Sequence, residues 1–135
     1  MRTLAASLLL ASSALAGEIV RVSAETWDRV PGGKEVDAIY GDWLLRNDMV
    51  VAVIGDAAPR RNANMSVKHV QGALIDFALL ATNNDQLSAY YPHGDRGGKA
   101  PHATKIEIVT ERGPEVVLRA TREASAADPL EQVTE

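Results

Sequence analysis

Residues 43–54 constrain the fold of this chain more than any other segment. Two runs rich in strand-forming residues, Trp43-Leu44-Leu45-Arg46 and Met49-Val50-Val51-Ala52-Val53-Ile54, are separated by Asn47-Asp48. Asn and Asp tolerate the positive φ that a tight turn between two strands requires. The pattern therefore predicts a β-hairpin. Because the second run is apolar on both faces, its strand is expected to lie between two layers.

Two further regions show the alternation of apolar and polar residues that is typical of strands. One is Glu18 to Val22, and the other is a pair of runs, 105–111 and 115–122, which flank Arg112-Gly113-Pro114. A turn signal between two alternating runs predicts a second hairpin, with one side buried and the other solvated.

Residues 67–81 fit either a helix or a strand. Apolar residues recur there at helical spacing, but Gly72 lies within the run, and a glycine costs a helix about 1 kcal/mol relative to alanine. A buried strand over residues 72–80 is therefore favoured, followed by a turn at Asn83-Asn84-Asp85 and a short strand within residues 86–91. Together these segments predict a mainly β fold, an antiparallel β-sandwich or part of one.

Composition places the chain among globular proteins and excludes some partners. Its 135 residues suffice for one domain, with 46% hydrophobic and 24% charged residues. The formal net charge is −4 and no cluster of Lys and Arg offers a footprint for phosphate backbones, so nucleic acid is not expected as a partner. There is no cysteine, hence no disulfide framework, and no cofactor is indicated by any motif.

The first residues have the organisation of a secretory signal peptide. Arg2 gives a positive start, an apolar stretch runs from Leu4 to Leu15, and Ala14-Leu15-Ala16 supplies small residues before the cleavage point. The stretch is too short for a stable membrane anchor. The pattern predicts a signal-peptide helix over residues 1–16, cleavage near Ala16, and export to the periplasm or the cell exterior. The alanine-rich leader is typical of bacteria.

Two parts are expected to follow the signal peptide. Residues 17–122 hold the predicted β-sandwich domain, and residues 123–135 are a linker or the start of a further strand. A domain rarely stops within an unpaired edge strand, because such an edge invites aggregation. Two interpretations stay open: the domain is incomplete and begins a longer protein, or its tail is frayed.

Several of these segments together resemble a known group of domains. Gly41-Asp42-Trp43-Leu44-Leu45-Arg46-Asn47-Asp48, the run 50–54 and Gly72-Ala73-Leu74-Ile75-Asp76 resemble the opening of β super-sandwich domains, and Asn83-Asn84-Asp85-Gln86-Leu87 fits the same group. These are N-terminal domains of large, mostly uncharacterised secreted bacterial proteins, similar in architecture to galactose-mutarotase-like carbohydrate domains. The resemblance covers about residues 37–122 and implies an antiparallel sandwich. It carries over no catalytic residue, because no His or Glu here matches a mutarotase motif.

The side chains best suited to bind a metal ion lie in one predicted loop. They are His93, Asp95 and His102. Two imidazoles and a carboxylate can bind Zn²⁺ or a similar ion with an open coordination position. The alternative is a solvated glycine-rich loop, which is favoured because the spacing matches no established metal motif.

Aromatic and basic residues provide the candidate ligand contacts. Tyr90 and Tyr91, with Trp43 as a neighbour, offer rings to a sugar or a peptide. Adjacent strand residues point to opposite faces, so one of the two tyrosines is expected to be buried. Arg60 and Arg61 suit a carboxylate or phosphate group, or else form a solvated loop tip.

Three carboxylates lie beside the strand and turn signals: Asp42, Asp76 and Asp85. Paired carboxylates can cleave a glycosidic bond, but Asp at such positions more commonly caps backbone N–H groups, which is the interpretation favoured here.

These features favour a non-catalytic function. The expected role is an exported binding or structural domain for saccharide or protein, as the N-terminal part of a larger secreted protein. The alternative is a fragment of a secreted carbohydrate-active enzyme or metal-dependent hydrolase. Metal-ligand or paired-acid motifs downstream of Glu135 would favour the enzyme.

Overall fold

The computed structural model describes residues 16–92, 102–127 and 131–135, and these form a mainly β protein. Within that part of the chain, helix is confined to one 3₁₀ turn, Trp27–Arg29. The predicted signal helix lies outside the described residues except for Ala16, and so do His93 and Asp95. The strands are β1 Gly17–Arg21, β2 Trp43–Arg46, β3 Val50–Ile54, β4 Leu74–Leu79, β5 Lys105–Thr110, β6 Arg112–Gly113, β7 Val117–Arg122 and β8 Gln132–Thr134.

The strands form two antiparallel sheets. The first sheet has five strands in the order β4-β3-β2-β1-β6, and the second has three in the order β5-β7-β8. β6 belongs to the connection between β5 and β7, yet it pairs with β1 in the first sheet, as Gly17↔Gly113 and Glu18↔Arg112. The two sheets are therefore tied by main-chain hydrogen bonds as well as by side-chain packing. The arrangement is consistent with a β-sandwich.

The hairpin predicted at residues 43–54 is confirmed, with β2 and β3 paired from Trp43↔Ile54 to Arg46↔Val51. Its turn differs from the expected one, because neither Asn47 nor Asp48 adopts positive φ. Instead, the Asn47 side-chain oxygen accepts hydrogen bonds from the backbone N–H of Met49 (2.8 Å) and Val50 (2.9 Å). The side chain of Asn47 thus closes the turn together with its backbone N–H, which donates to the carbonyl oxygen of Val50 at 3.1 Å.

The other predicted strands have mixed outcomes. The strand expected at residues 72–80 is confirmed as β4, and the hairpin of residues 105–122 is confirmed by the pairing of β5 with β7. The strand expected at residues 86–91 is wrong, since Tyr90 forms only an isolated bridge with Leu74. The second hairpin was also expected to have one buried side, and this prediction is wrong in part. Leu118 is the only buried residue of the hairpin and Ile108 is exposed, because the hairpin covers just part of the first sheet.

The first sheet is covered differently on its two faces. One face carries the main core, which irregular segments 22–42 and 55–73 cover; its buried residues are Val22, Ala38, Leu44, Val51, Val53, Val70, Ala73, Ile75 and Ala78. The other face meets the second sheet through a smaller cluster of Ile19, Trp43 and Leu118. Along β3, Val51 and Val53 are therefore fully buried under the loops. Val50, Ala52 and Ile54 are half-buried and lie on the face towards the second sheet.

A buried ion pair fixes the loops on the covered face. Arg61 and Asp42 form two hydrogen bonds, Nε to Oδ1 at 3.0 Å and Nη2 to Oδ2 at 2.6 Å, and Arg61 is only 4% exposed. Asp42 also accepts the backbone N–H of Ile39 and of Asp56, both at 2.9 Å. Arg61 donates in turn to the carbonyl oxygens of Asp37 and Asn62. One ion pair thus joins both covering segments.

Removing the carboxylate of this pair should strongly destabilise the fold. Asp42→Ala leaves the Arg61 guanidinium buried without a counter-charge, and loss of one partner of a buried pair costs about 3–5 kcal/mol. We expect the free energy of unfolding, measured by urea titration with tryptophan fluorescence, to fall by at least about 3 kcal/mol. Lys34→Ala, which breaks an exposed pair with Glu35, is the control and should change it by less than about 0.5 kcal/mol. A loss below about 1 kcal/mol for Asp42→Ala would contradict the role given to the pair.

Candidate functional site

The Trp43 ring lies inside the fold. It is buried between the two sheets, and its Nε1 donates to Asp56 Oδ1 at 3.1 Å. The Arg21 guanidinium lies 3.6 Å from the ring centroid and also pairs with Asp56, at 2.8 Å. The ring is thus engaged on its face and at its polar edge by the protein itself.

The two tyrosines have different surroundings. Tyr91 is half-buried against the main core, and its hydroxyl donates to the carbonyl oxygen of Lys68 at 2.7 Å. Tyr90 is 57% exposed, while its backbone N–H and carbonyl both pair with Leu74. Of the two, Tyr90 is therefore the one whose ring is accessible to a ligand.

The two adjacent arginines also differ in burial. Arg61 is buried in an ion pair with Asp42, so it is not part of a solvated loop tip. Arg60 is exposed and has φ 62°, in the left-handed region that a non-glycine residue adopts only at a cost. The side chain of Arg60 is thus accessible to solvent, whereas that of Arg61 is directed into the protein.

The one member of the predicted metal set that the structure describes has an unexpected neighbour. His102 stacks on His69, with ring centroids 5.5 Å apart and an interplanar angle of 24°. His93 and Asp95 lie outside the described residues, so the three-residue site stays a prediction. Among the residues that are described, no group of three or more His, Asp or Glu side chains is arranged to hold a metal ion.

The stacked histidines line a groove with a volume of about 390 Å³. Its lining residues are Ala57, Pro59, Arg60, His69, Gln71, His102, Ala103 and Thr104. We call it the histidine groove. Sequence reasoning missed it because His69 and His102 are far apart in the chain and no spacing rule connects them.

A second concavity separates the two sheets. This inter-sheet cleft has a volume of about 470 Å³ and is lined largely by aliphatic side chains, with Leu45, Ile54 and Leu74 on one side and Val116 and Leu118 on the other. Tyr90, Glu115, Thr134 and Glu135 also line it. Its size falls within the range of ordinary ligand sites.

The first sheet stays exposed beyond the cleft. Leu45, Ala52 and Phe77 are paired across β2, β3 and β4, so their side chains lie on one face of the sheet. On that face Phe77 is 44% and Leu79 52% exposed. The inter-sheet cleft and these two side chains lie on the same face of the first sheet, and we call them together the cleft face.

The three candidate carboxylates act as backbone caps, as favoured from sequence. Besides the N–H groups bound by Asp42, Asp76 Oδ1 accepts the N–H of Asp37 at 2.7 Å, and Asp85 Oδ1 accepts the N–H of Phe77 at 2.8 Å. Asp76 and Asp85 are fully buried, and within the described residues their Oδ2 atoms have no hydrogen-bond partner. Burial, reinforced by the nearby charge of Asp85, raises the pKa of Asp76 to about 7.

The raised pKa of Asp76 makes stability depend on pH. The folded protein keeps the proton on Asp76 up to about pH 7, whereas the unfolded chain loses it near pH 4. The stability that this protonated carboxyl group adds to the folded state is therefore complete below pH 4 and is lost between about pH 4 and 7. Asp76→Asn keeps the acceptor for Asp37 and carries no charge. We expect it to unfold at higher urea concentration than the native sequence at pH 8, with the difference vanishing near pH 4. Asp28→Asn, at an exposed position, is the control; an equal gain at both pH values would show that the charge of Asp76 is not the cause.

No protein-family model matches the chain, and comparison with curated proteins and with solved structures also gave no match. The resemblance to β super-sandwich domains therefore stays a prediction. Among the described residues, no helix is long and apolar enough to cross a membrane.

Proposed function

We propose that this protein is a non-catalytic binding domain, exported and built as a β-sandwich, that holds an apolar polypeptide segment on its cleft face. The observation that carries the proposal is the unequal size of the two sheets. Three strands cover only part of a five-stranded sheet, leaving the inter-sheet cleft open and Phe77 and Leu79 exposed beside it. Contiguous apolar surface of this kind marks interaction sites on proteins.

The chemistry of the cleft face favours protein over saccharide as the ligand. A saccharide needs several directed hydrogen bonds, whereas most of the lining is aliphatic, as with Leu45, Ile54, Leu74, Val116 and Leu118. The polar side chains of the lining are few, namely Tyr90, Glu115, Thr134 and Glu135, and Glu135 is already paired with Arg119. Tyr90 adds a ring with a polar edge, a residue type enriched at protein interfaces. A segment with alternating Leu, Ile or Val side chains matches such a lining, since both surfaces exclude water when they meet.

The proposed export and fold family have separate support. The signal-peptide pattern of residues 1–16 supports export, and the resemblance of residues 37–122 to N-terminal domains of secreted bacterial proteins supports a binding or structural role within a larger protein. The three carboxylates considered for acid–base chemistry have structural roles: Asp42 is paired with Arg61, and Asp76 and Asp85 are enclosed in the core.

A peptide-binding experiment tests the proposal. We would select a random dodecamer phage library against residues 17–135, synthesise the selected peptides and measure their Kd by calorimetry. We expect peptides rich in aliphatic residues, and a Kd at least about tenfold weaker for Phe77→Asp, because a charge then faces the apolar ligand. Met65→Asp is the matched control, since Met65 is an exposed apolar residue that does not line the cleft, and it should bind as tightly as the native sequence.

Two results would overturn this function. One is a selection that yields no peptide, and the other is a set of peptides that bind Phe77→Asp as tightly as the native domain. Circular dichroism melts of both variants ensure that a lost interaction reflects the surface and not unfolding.

A further inference from the structure

Segment 81–90, which follows β4, is attached to the fold by a charged side chain. Asp85 is its only fully buried residue, and the rest of the segment is exposed apart from Leu87 and Ala89, which are half-buried. The Asp85 Oδ1 atom accepts the backbone N–H of Phe77 at 2.8 Å and that of Leu87 at 3.2 Å. An aspartate is rarely buried without a counter-charge, because a desolvated carboxylate is costly. The attachment of this segment therefore depends on the charges around Asp85.

Asp85 also joins segment 81–90 to the irregular segment 22–42, which covers the main core. Its backbone N–H donates to the carbonyl oxygen of Gly32 at 2.7 Å, and the N–H of Gly32 donates to the Asn83 side chain at 2.9 Å. The two chains approach so closely that no room is left for a Cβ atom on Gly33. Asp85 thus lies at the junction of β4, segment 22–42 and segment 81–90.

A second enclosed carboxylate lies directly beside this junction. Asp76 precedes Phe77 on β4, and its Oδ1 accepts the N–H of Asp37 at 2.7 Å. The Oδ2 atoms of Asp76 and Asp85 have no hydrogen-bond partner among the described residues, and no Lys, Arg or His of those residues forms an ion pair with either carboxylate. Two buried acidic groups are therefore neighbours without a cation between them.

The charged groups that face Asp76 are all acidic. Segment 81–90 contributes Asp85 and segment 22–42 contributes Asp37, while β3, which pairs Val53 with Asp76, carries no charged residue. The nearby guanidinium of Arg61 acts on Asp37. Burial first, and then the charges of Asp85 and Asp37, raise the pKa of Asp76 to about 7. Above that pH, a second desolvated negative charge adjoins the one on Asp85.

The structure determines which of the two carboxylates can move away. Asp76 lies within β4 between Ile75 and Ala78, which belong to the main core, so its displacement would open that core. Segment 81–90 buries only Asp85, so its withdrawal exposes little apolar surface. Local opening occurs where few apolar contacts resist it. Repulsion is therefore relieved by the movement of Asp85 into water.

From these observations we propose that segment 81–90 is a pH-operated latch. While Asp76 is protonated, Asp85 stays inserted between β4 and segment 22–42. When Asp76 loses its proton, Asp85 withdraws into solvent and the backbone N–H of Phe77, at the outer edge of β4, is uncovered. The latch acts through this edge and does not depend on whether the cleft face binds a peptide.

Amide hydrogen exchange of the ¹⁵N-labelled protein, followed by NMR at pH 5.5 and pH 8.5 and corrected for intrinsic exchange rates, tests the latch. The amides of Phe77 and Leu87 both donate to Asp85, so we expect their protection to fall at least about tenfold at the higher pH. The amide of Val70 donates to the carbonyl oxygen of Arg61 in the covering loops and serves as the internal control. Its protection should change less than about threefold.

Two variants identify the group that carries the proton. Asp76→Asn keeps the acceptor for Asp37 but cannot ionise, and Asp85→Asn keeps the acceptor for Phe77 and removes the other charge. Each should preserve at pH 8.5 the protection that the native sequence has at pH 5.5. Asp28→Asn, at an exposed position, is the matched control and should retain the native pH dependence.

Three results would overturn the latch. Unchanged protection of the Phe77 and Leu87 amides would mean that segment 81–90 stays attached at both pH values. An equal loss at Val70 would mean that the whole domain opens and not the segment alone. A loss that persists in Asp76→Asn would assign the pH dependence to another group.

Discussion

The buried pair of Asp42 and Arg61 is the constraint on which the rest of the structure depends. The main core is enclosed by irregular segments with few backbone hydrogen bonds between them, and this pair with its backbone contacts joins one segment to the other. A charged pair in such a position contributes little net stability against an apolar replacement, but it satisfies four polar partners at one point. We infer that its value here is the geometry it imposes on the loops.

The two concave surfaces described above have different physical origins. The cleft face exists because the second sheet is too narrow to cover the first, so that apolar side chains of β4 are left exposed. The histidine groove lies beside the loop after β3, in which Arg60 and His69 have positive φ. Incomplete covering thus leaves apolar side chains exposed, whereas the groove is shaped by the path of a loop.

Sequence patterns predicted the elements better than the contacts between them. The period-2 alternation of β1, β5 and β7 and the apolar run of β3 follow from how pleated strands bury side chains, so local sequence was sufficient. Nothing local distinguishes Arg60 from Arg61, since only the position of Asp42 in the folded chain decides which one is buried. The same holds for the approach of His69 to His102, and for the exposure of Phe77, which depends on where the second sheet ends.

The pairing of β6 with β1 has a consequence for the order in which the fold is completed. β1 lies near the start of the described chain, yet one of its two neighbours is Arg112–Gly113, and Ile19 donates to the carbonyl oxygen of Glu111 at 2.9 Å. Contacts that distant in sequence form late, because closing so long a loop costs entropy before any contact compensates. A chain that emerges from its N-terminus therefore keeps one edge of its first sheet open until nearly the whole domain has been synthesised.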